Sequence, residues 1–141
     1  MKQKSTSELN RGLMSEADLD SYLVRNESSF SSQDITGILE YLYQRTDLSK
    51  AALARQAGMS EVYLHQVFSG RRKPSRDRLL CLCISMKATM EETQEVLKRA
   101  ACALLYPRRK RDAIIAHGIA HDTPLSEIND KLFRENEKTL F

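Results

Sequence analysis

The stretch Lys50-Ala-Ala-Leu-Ala-Arg-Gln-Ala-Gly-Met-Ser-Glu-Val-Tyr-Leu-His-Gln-Val-Phe-Ser-Gly70 decides the fold. Just ahead of it stands Leu48-Ser49, and Leu53 follows five positions after Leu48. In this pattern the hydroxyl satisfies an orphan backbone N–H, while the apolar pair clamps the entry of a helix. Met59-Ser60 with Leu64 repeats the device. Two short helices joined by a tight turn are therefore expected, with Gly58 letting the chain leave the first in a left-handed conformation. Ala54 must be small, because the second helix passes over it. Leu53, Ala57, Leu64 and Val67 supply the apolar contacts that hold the crossing. Ser60 caps the second helix and leaves its N-terminal end free to enter a groove.

The same start signals recur along the chain. Met14-Ser15 with Leu19 predicts a short helix to about Arg25, with Asp18 completing an approximate capping box. Phe30-Ser31 with Ile35 predicts the next, whose apolar stripe is Ile35, Ile38, Leu39 and Leu42. Beyond Gly70, one helix is expected from about Ser75 to Met86, carrying Leu79, Leu80, Leu82 and Cys83. Another runs from the Thr89–Glu92 capping box to about Leu105. A third covers roughly Arg109–His117, and a fourth is capped by Thr123 with Pro124 at its first turn. No stretch alternates with period two, so the chain is all-α.

Composition agrees. Five Gly and three Pro in 141 residues leave few turns, against a β-sandwich and for long helices. A 41% hydrophobic and 29% charged content excludes a disordered chain. The longest apolar runs, 79–84 and 100–106, are too short to span a bilayer. No apolar secretory segment opens the chain, and Cys81, Cys83 and Cys102 sit in apolar helical context. Both features suit a cytoplasmic protein with reduced core thiols. The net charge of +3 hides an uneven distribution: −2 over residues 1–34, +4 over 35–86, +2 over 87–122 and −1 over 123–141. Basic residues cluster at Arg71–Arg78 and Arg108–Arg111, so the middle of the chain is suited to face a polyanion.

From about Ser32 to Thr89 the sequence resembles the phage-repressor-type (Cro-like, XRE-like) helix-turn-helix DNA-binding family. The resemblance rests on Leu48-Ser49, Leu53-Ala54, Ala57-Gly58, Ser69-Gly70-Arg71-Arg72-Lys73-Pro74-Ser75 and Leu79-Leu80. It implies a five-helix repressor-like domain, placed over 31–105; the start signals and the repeat beyond it add an arm with a short helix over 1–30 and a helical-hairpin extension over 106–141. It also implies a transcription regulator, such as a repressor, binding duplex DNA as a homodimer on half-sites about one helical turn apart. Ser49, Lys50 and Ser60 would then meet phosphates, and Arg71, Arg72 and Lys73 would follow the sugar-phosphate backbone. Glu61, Val62, Tyr63 and Gln66 would face base edges, with Gln suited to adenine, Glu to cytosine N4 and Val to a thymine methyl. About five phosphate contacts would give a log-affinity against log-salt slope of about −4 to −5.

Val62, Tyr63 and Phe68 also admit a protein-binding adaptor or inhibitor that reuses the fold, and Phe68 is expected to pack on the later helices. After Gly70 the chain echoes itself at 33 to 35 residues: Pro74 and Pro107, Leu79-Leu80 and Ile114-Ile115, Thr89 and Thr123. Two stacked helical hairpins follow from that echo. Leu125, Ile128, Leu132, Phe133, Leu140 and Phe141 would offer apolar faces for dimerisation or a protein partner. Arg108–Arg111 at a helix start oppose the dipole; a solvated loop is the default reading, with an anionic partner as the alternative. Capping accounts for most of the hydroxyls in the Ser/Thr-rich first 30 residues, with a regulatory arm open to phosphorylation as the alternative. His117 and His121 have the i, i+4 spacing of metal ligands, yet with no third ligand evident they are read as ordinary histidines. No metal or cofactor and no catalytic residues are expected, and the protein is not read as an enzyme.

Overall fold

A computed structural model describes residues 35–141. The expected N-terminal arm, short helix, Ser31 cap and phosphorylation all fall on residues outside the described ones. Among these residues there are seven helices and no strand: α1 (Ile35–Gln44), α2 (Lys50–Gln56), α3 (Glu61–Phe68), α4 (Arg76–Ser85), α5 (Met90–Arg99), α6 (Lys110–Ala120) and α7 (Leu125–Arg134). The described residues are all-α, as the sequence predicts. None of these helices is long and apolar enough to cross a membrane.

Four helix starts are the expected hydroxyl caps. Ser49 accepts from the N–H of Ala52, Ser60 from Tyr63, Ser75 from Arg78, and Thr89 from Glu92 with the reciprocal Glu92 bond in place. Leu79 through Ile84 are buried without a break. A helix apolar all round belongs in the interior, and α4 packs on α2, α5 and α7. Cys81 and Cys83 point to different sides of α4 and are both enclosed, and burial pushes both thiols up to about 12. One core cluster takes residues from all seven helices.

Three consecutive helical hairpins share one turn. The residue two before the second helix's N-cap is left-handed each time: Gly58 (φ 72°), Lys87 (φ 56°) and Asp122 (φ 53°). The next N–H closes back on the first helix, from Met59 to Ala54 O at 3.0 Å, Ala88 to Cys83 O at 2.9 Å and Thr123 to Gly118 O at 2.9 Å. Each hairpin also ends alike, at Gly70, Ala101 and Asn136, all with positive φ. A left-handed residue after the last turn satisfies carbonyls the helix leaves orphaned. Small residues at the crossing have a visible purpose. A Cβ on Gly118 would stand 2.5 Å from Ile128 Cδ1, and one on Gly58 would stand 2.7 Å from the Phe141 ring.

The last two hairpins repeat in a register of 35 residues. Gln94 holds the Leu105 backbone through both ends of its amide, and Asn129 accepts from the N–H of Leu140 at 2.7 Å. Arg76 donates to the carbonyls of Ala103 and Leu104, and Arg111 to those of Lys138 and Thr139. The carboxylate partners cross over between the units. Arg76 makes a two-pronged pair with Asp112 (3.0 and 3.2 Å), and Arg111 makes another with Asp77 (3.0 and 3.1 Å).

That register corrects several expectations. In it Thr123 matches Ala88, not Thr89, so Pro124 is the N-cap of α7 and Thr123 belongs to the turn. Helix α5 stops at Arg99 instead of Leu105, because Ala101 turns left-handed and Gln94 and Arg76 hold residues 103–105 outside any helix. Helix α6 runs three residues beyond His117. Leu125, Ile128, Leu132 and Leu140 are not open faces: their own chain covers them, at 6% exposure or less. Only Phe133 (75%) and Phe141 (61%) of that set are exposed. Lys110 and Arg111 are likewise committed inside the molecule, to Glu135 and to Asp77.

Candidate nucleic-acid interface

Helices α2 and α3 cross with Leu53, Ala54, Ala57, Leu64 and Val67 all at 2% exposure or less. With one face of α3 so occupied, Glu61, Val62 and His65 are left outward, Val62 at 68% exposure. His65 Nε2 lies 3.5 Å from Glu61 Oε1 across one helical turn. Ser49 and Ser60 are exposed at the starts of α2 and α3, each accepting one backbone N–H.

Of the connector cations, Arg71, Arg72 and Lys73 are all exposed. The N–H groups of Arg71 and Arg72 both donate to Gln66 O, at 2.9 and 3.2 Å, folding the connector back onto α3. Arg72 Nε then donates to Gln66 Oε1 at 2.9 Å. Tyr63 is half-buried, with the Arg78 guanidinium 4.4 Å and that of Arg72 5.4 Å from its ring centroid. Arg78 thus joins the same flank. The sequence marks it only as one of the basic residues, because its place beside Tyr63 depends on how the chain returns after Gly70.

Lys50 has a different setting. Its ammonium lies 3.5 Å from the Phe68 ring centroid, 4.3 Å from that of Tyr43 and 3.6 Å from Glu40. Phe68 packs edge-on against Tyr43 of α1, ring centroids 5.8 Å apart. It was expected on the later helices. The earlier one covers it, because α1 lies against α3. Arg45 clamps Glu92 through two bonds of 2.9 and 2.8 Å, tying the end of α1 to the start of α5. Burial alone would raise the Glu92 carboxyl, but the Thr89 N–H and Arg45 outweigh it and hold the group below its ordinary value.

Residues 39–96 match a protein-family model described as a helix-turn-helix domain. The fold of the segment agrees with that description. Its first helix is α2, its turn centres on Gly58, and its second helix is α3. The match covers 58 of the 141 residues, ending inside α5. Comparison of the chain with curated proteins and with solved structures finds no match.

Away from this domain, His117 and His121 stack with ring centroids 4.0 Å apart, and His121 Nδ1–H donates to the His117 carbonyl at 2.8 Å. The pair closes the end of α6. No cluster of three metal-ligating side chains occurs among the described residues.

Proposed function

We propose that the protein is a sequence-specific regulator of transcription inside the cell that binds duplex DNA with α3 in the major groove. The observation that carries this reading is the division of α3. Its inner residues Leu64 and Val67 are fully buried, while Glu61 and Val62 stand outward beside the exposed cations Arg71, Arg72 and Lys73. A rigid helix with cations along one side suits both halves of DNA recognition. Base edges are read by the helix, and phosphates set its register without carrying sequence information.

Ser49, Ser60, Arg71, Lys73 and Arg78 are the phosphate-facing groups in this reading. Lys50 reaches a phosphate only by exchanging Glu40 for it. Residues 31–105 form the DNA-binding unit and 106–141 an extension built against it. Two copies related by a two-fold axis would meet half-sites one helical turn apart. The adaptor reading rests on apolar side chains at α3, yet Phe68 lies by Lys50 and Tyr63 has two arginines against its ring. Val62 alone remains open there, so DNA is the better-supported partner.

A mobility-shift measurement with genomic fragments at two salt concentrations tests the reading. Retardation is expected at low salt, falling with a log–log slope of about −3 per protomer for the three cationic phosphate contacts Arg71, Lys73 and Arg78. If no fragment shifts at low salt, or if Gln66→Ala and Arg71→Ala leave retardation unchanged, the reading is wrong. The dimer is tested by the mass in solution, where a monomer on saturated DNA contradicts it.

A further inference from the structure

We propose that Arg72 reads a guanine in the major groove, with Gln66 and Tyr63 as the residues that position it. The inference rests on the DNA-binding reading and deepens it. Three cations follow α3 in succession, and they are not held alike. Arg72 is fixed at its backbone by the Gln66 carbonyl (3.2 Å) and at Nε by the Gln66 amide oxygen (2.9 Å). Its guanidinium also lies by the Tyr63 ring, 5.4 Å from the centroid. For Arg71 the described residues supply only the backbone bond to Gln66, and for Lys73 neither kind of restraint.

A phosphate contact asks for little orientation, because the charge is the same from every side. A base contact asks for a fork pointed at two acceptors. With Nε committed to Gln66, Arg72 keeps both terminal Nη groups, which match the O6 and N7 acceptors of guanine. Such an arginine loses less side-chain freedom on binding than a free one, so its preorganisation favours the specific complex.

The same bond changes what Gln66 itself can do. Reading adenine takes both ends of a carboxamide, the oxygen on N6 and the nitrogen on N7. The oxygen of Gln66 is engaged by Arg72. The base preference beside the middle of α3 therefore passes from an adenine under Gln66 to a guanine under Arg72. Arg78 also lies against the Tyr63 ring, 4.4 Å from its centroid, and helps to hold it in place.

The test uses the full chain and a randomised duplex library, followed by equilibrium binding to selected duplexes. The wild type is expected to select one fixed guanine in each half-site. Replacing that guanine with 7-deazaguanine, which lacks the N7 acceptor, should weaken binding about 5- to 150-fold. Arg72→Lys should erase selection at that position while leaving the salt slope unchanged. Gln66→Ala should relax the same position with the slope likewise preserved. The proposal is overturned if Arg72→Ala weakens selected and scrambled duplexes alike and lowers the slope by about one, the signature of a phosphate contact. It is also overturned if adenine is selected there and only Gln66 variants disturb it. Neither result touches the DNA-binding reading. Failure of the wild type to retain any duplex at low salt removes both.

Discussion

Two basic clusters precede helices in this chain, Arg71–Lys73 with Arg76 and Arg78 before and within α4, and Arg108–Arg111 before and within α6. In sequence they look like the same signal. In the fold they divide by employment. Arg76, Lys110 and Arg111 hold the hairpins together through carboxylates and carbonyls of their own chain. Arg71, Arg72 and Lys73 stay on the surface beside α3. A run of cations is thus no evidence of an anionic partner until the carboxylates within reach have been counted.

The sharpest way to break this division is Arg76→Ala. Asp112 is only 3% exposed, and the substitution leaves its carboxylate buried with no cation. A loss of about 3–5 kcal/mol in denaturant unfolding is expected. Arg111→Ala comes next, at about 1.5–3 kcal/mol, because Asp77 is more open to water and has Lys138 at 3.9 Å. Equal losses in the two variants would refute the difference in burial. Arg71→Ala should change stability by less than about 0.5 kcal/mol and reduce the salt slope of DNA binding by about one. A large stability loss there would move Arg71 into the holding class.

The smallest effect concerns acid. Glu92, paired with Arg45, titrates below the ordinary 4.5 of a free glutamate. Its stabilisation is fully present above that value and is lost as pH falls through the lower, folded one. Glu92→Gln should therefore flatten the acid limb of stability below about pH 4.5 and leave the fold's neutral-pH dependence unchanged, as followed by circular dichroism.

Where structure was legible in the sequence, it was local. The caps at Ser49, Ser60, Ser75 and Thr89 need only a hydroxyl and an N–H three residues away, and all four form. The turn at Gly58 and the small Ala54 were equally readable, since a left-handed residue and a close crossing restrict residue type on their own. What escaped depends on distant partners. The segment after Ala101 is shaped by Gln94 and Arg76, neither adjacent to it. The amphipathic stripe of α7 was plain, but amphipathicity does not say whether the cover is a partner or the chain itself. The dipeptides Arg76-Asp77 and Arg111-Asp112 were visible too, and only the packing of α4 near α6 reveals that each arginine takes the other unit's aspartate. At the interface, Gln66 and Arg72 were each singled out, yet their bond across six residues depends on the turn at Gly70.

The crossed pairs Arg76–Asp112 and Arg111–Asp77 carry one more consequence, for how the molecule comes apart. Each hairpin beyond Gly70 supplies the counter-charge that the other needs, so neither can open without stranding ions in both. Residues 76–134 are therefore expected to melt as one cooperative unit, read as a shared class of slowly exchanging amides, and a cut between residues 105 and 106 would leave both pairs bridging two separate chains. The helix-turn-helix turn is drawn into that unit by the Phe141 ring lying on Gly58. Its rigidity thus depends on residues more than eighty positions further along the chain.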